Sequence, residues 1–124
     1  MPIRILPNFK IAENLYVDLH SQATYRHHTL IEEIRLRLKR TGIPSYSYNY
    51  TSDFTEKIRK SSYNLYLNPD TINQKVFNFH ISKKTAEVLS ELKLVELSSE
   101  TLNQEIVKRL AYTLVDPFYD KFKD

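Results

Sequence analysis

Two tetrapeptides hold most of the hydrogen-bonding chemistry that spacing alone picks out in this chain. Asn8-Phe9-Lys10-Ile11 and Asn78-Phe79-His80-Ile81 lie 70 residues apart and share one pattern, in which an amide and then a basic group alternate with apolar residues. A period of two puts the polar members on one face of a short strand and Phe and Ile on the other. Amide and imidazole groups donate and accept hydrogen bonds and an ammonium group donates them, and none of them is a nucleophile held against a base. A single polar residue on a strand is most simply solvent-facing. Its repetition in the same frame argues for a shared task.

The other titratable groups offer less. His27 and His28 are adjacent, so their side chains point apart, and no spaced carboxylate or His completes a metal set. They read as a solvated turn. Glu32 and Glu33 do not face each other on a helix and suit cap and surface roles, while His20 is a surface or boundary residue of an earlier helix. The chain has 124 residues and no Cys, which excludes disulfides, thiolate metal sites and cysteine nucleophiles. Its one glycine, Gly42, excludes Gly-rich phosphate loops and dinucleotide fingerprints. No acid/base pair or nucleophile constellation is left, so neither catalysis nor a cofactor is expected.

Composition sets the frame for these residues. With 41% hydrophobic and 27% charged residues the chain can bury one core. It has no run long enough to span a membrane and no leader pattern at its start, so a cytoplasmic protein without membrane contact is expected. The net charge of +3 is compatible with a nucleic-acid partner. Its distribution is uneven. Residues 1–42 carry seven Lys/Arg against four Asp/Glu, whereas 43–74 balance at three and three and 75–124 at eight and eight.

The elements that must position the tetrapeptides follow from periodicity. A strand covers Arg4 to Ile11, alternating from Asn8. A helix from Glu13 carries Leu15, Leu19 and Ala23 with Tyr16 beside them. Thr29 is an N-cap with Glu32 at the capping-box position, opening a second helix through Ile31, Ile34 and Leu38 that stops at Gly42-Ile43-Pro44. Lys39 and Arg40 lie in its last turn. Residues 43–74 hold five of the nine Tyr (Tyr46, Tyr48, Tyr50, Tyr63, Tyr66) and form an ordered, irregular connector. Tyr46 to Tyr50 reads as a short strand or an extended arm. The connector packs over the helices or stacks on bases, packing being the simpler choice.

The first pattern then returns. Val76 to Ile81 alternates as a strand, Ser82 caps a helix through Ala86, Val88, Leu89 and Leu92, and a break at Ser98 to Thr101 precedes a last helix through Leu102, Ile106, Leu110 and Leu114. Asp116-Pro117 ends it, leaving a tail at 117–124. Glu33-Ile34 and Arg37-Leu38 match Glu105-Ile106 and Arg109-Leu110 at a shift of 72. The units are therefore 1–42 and 75–116, in one domain that is mainly α with a two-stranded antiparallel β-ribbon. Neither unit can cover its own strand edge or helix face, so each is expected to bury against the other. A strand-swapped dimer satisfies the same pattern.

At these residues the chain resembles the ribbon-helix-helix family of DNA-binding proteins, which includes Arc- and MetJ-type repressors. Leu6 to Ile11 with Ala12-Glu13-Asn14-Leu15 is similar to the family's strand and first-helix entry, and Thr29 to Ile34 to the start of its second helix. The tandem form resembles the TraY family of conjugative relaxosome proteins, more loosely also in the connector and in Asp116-Pro117-Phe118-Tyr119. The resemblance implies a monomer acting as an intramolecular pseudo-dimer, with its ribbon in the major groove of double-stranded DNA.

On this resemblance the base-reading residues are Asn8, Lys10, Asn78 and His80, with Leu6 and Val76 beside them. The last two depart from the family's polar pattern and can only touch thymine methyls. Phosphates are expected at the second-helix N-termini, Thr29-Leu30 and Thr101-Leu102, with Arg26, His27 and His28 reinforcing the first. The implied role is an accessory protein that binds and bends an origin of transfer and helps the relaxase to load, with several molecules per site possible. An Arc-like repressor is the alternative on the same scaffold. An antitoxin-like or adapter protein, acting through protein contacts, is the alternative of another class.

Overall fold

The computed structural model describes residues 4–42, 74–91, 93–116 and 119. The expectations for the Tyr-rich connector as far as residue 73, for Leu92 and for the tail apart from Tyr119 fall outside the described residues. In order, the elements are β1 (Arg4–Ala12), α1 (Glu13–Tyr25), α2 (Leu30–Thr41), β2 (Gln74–Ile81), α3 (Lys83–Glu91), a 3-10 turn (Leu94–Glu96) and α4 (Ser99–Val115). Among the described residues the protein is mainly helical, with one two-stranded antiparallel sheet, β1 against β2. No helix among them is long and apolar enough to cross a membrane.

Local sequence explains the helix starts. Thr29 accepts from the Glu32 amide and Glu32 returns a bond to the Thr29 amide, closing the expected capping box. Ser82 and Ser98 cap α3 and α4 by accepting from the amides of Thr85 and Thr101. The turn between α1 and α2 passes through His27 at φ 61°, a left-handed conformation that His tolerates better than most residues.

Gly42 ends α2 in a right-handed conformation, φ −91°, so backbone freedom is not why glycine stands there. A Cβ at this position would run into the Val88 side chain of α3. Glycine here lets the end of α2 approach α3 closely.

One cluster of buried residues joins every helix to the ribbon: Leu6, Phe9 and Ile11 from β1, Leu15 and Leu19 from α1, Ile34 and Leu38 from α2, Phe79 and Ile81 from β2, Ala86 and Leu89 from α3, and Leu102, Ile106 and Leu110 from α4. Each fully buried large side chain stabilises by roughly 1.5–3 kcal/mol. Phe9 lies between Phe77 and Phe79, ring centroids 5.4 and 5.3 Å away, in tilted arrangements that add to the burial term.

The ribbon departs from a plain ladder at one point. Phe9 stands opposite Phe77 and Leu6 opposite Phe79, so Pro7 and Asn8 together face Asn78. This two-against-one step is a β-bulge. Pro7 has no N–H to give the ladder, and Asn8 takes φ 55°, which Asn accepts more readily than a bulky residue. The bulge reverses the alternation upstream of it. Leu6, expected to face outward from simple period-two counting, is 1% exposed and belongs to the core. The register places Ile5 opposite His80.

Candidate nucleic-acid interface

With one face of the ribbon in the core, the other carries Asn8, Lys10, Val76, Asn78 and His80, all exposed. Five of the six residues expected there are therefore on one surface, and Leu6 is not. Val76 is 52% exposed, an apolar group in an otherwise polar row. Among the described residues no ion pair engages Lys10, so its ammonium is left to solvent or a ligand.

Two helices hold the backbone beneath this row. Asn103 of α4 grips Lys10 twice, its Oδ1 accepting from the Lys10 amide at 2.8 Å and its Nδ2 donating to the Lys10 carbonyl at 2.9 Å. Arg35 of α2 donates through Nε and Nη2 to the His80 carbonyl, at 3.1 and 2.6 Å. The two basic residues of the matching tetrapeptides are thus anchored by the second helix of the opposite half. Sequence reasoning missed both anchors. A polar residue inside an otherwise apolar helix face was the available signal for Asn103.

The helix N-termini are less open to a phosphate than expected. At α2, Glu32 places its own carboxylate on the Thr29 amide at 3.0 Å. That amide, then the Thr29 hydroxyl, His28 and Arg35, hold the Glu32 carboxyl below the ordinary carboxylate range. The helix end therefore presents the first-turn amides of Leu30 and Ile31 beside a negative charge. At the other end of the pair the expected site is displaced. α4 starts at Ser99, whereas Leu30, the first residue of α2, corresponds to Leu102 at a shift of 72. The Thr101 amide bonds Ser98 Oγ and the Leu102 amide bonds the Ser98 carbonyl, so both are internal, and Leu102 is core. The count assumed that both second helices begin alike, but Ser98 caps α4 nearly one turn earlier.

Arg26 and His28 also face inward. Glu33 is fully buried. Its Oε1 accepts from His28 Nδ1 at 3.1 Å and its Oε2 from Arg37 Nε at 2.8 Å, with Arg26 Nε at 3.9 Å. A carboxylate only accepts, so His28 carries its proton on Nδ1. Tyr119 lies over the same cluster, its ring centroid 4.5 Å from Arg37, 4.9 Å from Arg40 and 5.5 Å from Arg26. The excess positive charge of the first third is largely spent on this internal cluster.

The cluster is half of a reciprocal contact between α2 and α4. Arg37 donates to Thr113 Oγ1 at 2.8 Å and Arg109 donates to the Thr41 carbonyl at 3.3 Å. Thr41 and Thr113 each return their hydroxyl to a carbonyl three residues earlier, those of Leu38 and Leu110. Glu33, Arg37 and Thr41 correspond to Glu105, Arg109 and Thr113 at the same shift of 72. The match is imperfect: Arg37 meets a hydroxyl and Arg109 a carbonyl, and Glu105 stands 3.7 Å from Arg109 and is 26% exposed, while Glu33 is sealed.

No protein-family model matches the chain, and neither the curated proteins nor the solved structures hold a match to it.

Proposed function

We propose that the chain is a double-stranded-DNA-binding protein of the ribbon-helix-helix kind, its two strand–helix–helix units forming an intramolecular pseudo-dimer whose ribbon enters the major groove. The observation that carries this reading is the ribbon itself. One face is core, and the other is a continuous exposed row of Lys10, Asn8, Asn78 and His80. A two-stranded ribbon fits the major groove, and these side chains match base-edge chemistry: Asn with adenine N6/N7, Lys with guanine O6/N7, and His as a donor to guanine or phosphate. The reciprocal Arg37–Thr113 and Arg109–Thr41 contacts support the pseudo-two-fold arrangement.

Within this class, the resemblance to tandem relaxosome proteins favours a factor that binds and bends DNA at an origin of transfer, with the relaxase as a protein partner and no catalytic step of its own. An operator-binding repressor uses the same surface. The position of the selected site, near a nick site or a promoter, separates the two.

The test is selection of binding sites from random duplex DNA at low and near-physiological salt, for the native chain and for Lys10→Ala. The expected result is a short enriched motif whose guanine preference at one position disappears with Lys10→Ala, a discrimination worth ~1–3 kcal/mol. Binding that enriches no sequence and collapses with salt reduces the surface to a general polyanion contact. Absence of binding overturns the reading.

A further inference from the structure

The centre of the ribbon is where the matching tetrapeptides meet. With Lys10 opposite Val76 and Phe9 opposite Phe77, an unbroken ladder would next oppose Asn8 to Asn78, the first residue of each. The bulge falls at this step and makes the two Asn unlike. Asn8, at φ 55°, turns its backbone amide onto the Asn78 side chain, N to Oδ1 at 3.4 Å. A backbone N–H only donates, so the atom that it meets is the Asn78 amide oxygen. Asn78 has its oxygen engaged with the ribbon's own backbone, which leaves Nδ2 as its uncommitted group. Asn8 has no side-chain bond to a described residue and keeps both donor and acceptor.

Reading adenine requires both atoms together, with Oδ1 accepting from N6 and Nδ2 donating to N7. On the reading of the ribbon as a duplex-DNA reader, on which this inference rests, we infer that Asn8 alone is the adenine-specific residue and that Asn78 contributes a donor without discrimination. A lone Nδ2 donor is satisfied equally by a purine N7, guanine O6 or thymine O4. The recognised duplex is therefore asymmetric at its centre, with a required adenine on one strand only, although both halves of the chain bring Asn to that point.

The experiment compares sites selected from random duplex DNA by the native chain, Asn8→Gly and Asn78→Ala. Glycine takes φ 55° without strain, so Asn8→Gly keeps the bulge and removes only the side chain. The native motif is expected to hold one unpaired central adenine preference. Asn8→Gly erases that preference and weakens the native site roughly tenfold or more. Asn78→Ala keeps the preference and loses less affinity. A palindromic centre, or an Asn78→Ala variant that loses the adenine as completely as Asn8→Gly, overturns the inference while leaving DNA binding in place. No enrichment by the native chain removes sequence-specific reading and this inference with it, before any variant is compared, and absence of binding removes the DNA reading itself. A DNA-free readout tests the tether directly. In Asn78→Ala the Asn8 amide should exchange with solvent faster than in the native chain, and unchanged exchange refutes the tether.

Discussion

At the scale of single residues, the clearest contrast is between two carboxylates in matching positions. Glu33 is sealed and shared by Arg37 and His28, whereas Glu105 meets Arg109 at 3.7 Å at a partly wet site. A carboxylate removed from a buried pair leaves an uncompensated charge, at a cost of about 3–5 kcal/mol, while a loosely paired, partly exposed one is worth under about 1 kcal/mol. Glu33→Ala should therefore lower the urea midpoint more than Glu105→Ala, whose own carboxylate is partly exposed although its partner Arg109 is buried, with similar m-values. Equal losses would show that the repeat is energetically symmetric and that the difference in burial has no consequence. Arg37 explains the size of the first effect: it is fully buried, and beyond Glu33 it has, among the described residues, a neutral hydroxyl, Thr113, and the ring of Tyr119.

At the scale of elements, the end of α2 against α3 gives a second test. Gly42→Ala places a methyl group against Val88, a β-branched side chain with little rotameric freedom. Overpacking of this kind costs about 1–3 kcal/mol. Val88→Ala in the same chain should restore part of the loss, an interaction that thermal unfolding of the two single variants and the double variant measures. Most elements were legible in the sequence because their signals are local. Thr29-x-x-Glu32 announced the start of α2, and Leu15, Leu19 and Ala23 announced the buried face of α1. The bulge was also written locally, in Pro7-Asn8, but period-two counting overran it and sent Leu6 to the wrong face. The start of α4 was misplaced because the repeat was allowed to override its own cap, Ser98. What no local pattern could show is the traffic between halves. Asn103 on Lys10, Arg35 on His80 and Arg37 on Thr113 join residues 93, 45 and 76 positions apart, and only packing brings them together.

At the scale of the whole molecule, Tyr119 lies against the first half, where its ring covers Arg37, Arg40 and Arg26. Burial holds its phenol above the ordinary tyrosine value in spite of Arg37 and Arg40 beside it. The folded chain binds this proton more tightly than the unfolded one. The contribution is present in full below the unfolded value, about 10, and is lost as pH rises through the folded value. Melting temperatures should fall above pH ~10 more steeply in the native chain than in Tyr119→Phe, which keeps a ring over the guanidinium groups. Parallel declines would remove Tyr119 from the account of alkaline stability. The ribbon has a consequence of another kind, for synthesis. β1 is complete at Ala12, but its only strand partner among the described residues starts at Gln74. At ~5–20 residues per second, the first strand leaves the ribosome on the order of seconds before the second. For that interval Phe9 and Ile11 lie on a strand with an open edge, and an identical edge on a neighbouring nascent chain offers the same hydrogen bonds. Whether the ribbon closes within one chain or between two is then the outcome of a race during synthesis, which makes spacing along the messenger a determinant of how the molecule closes.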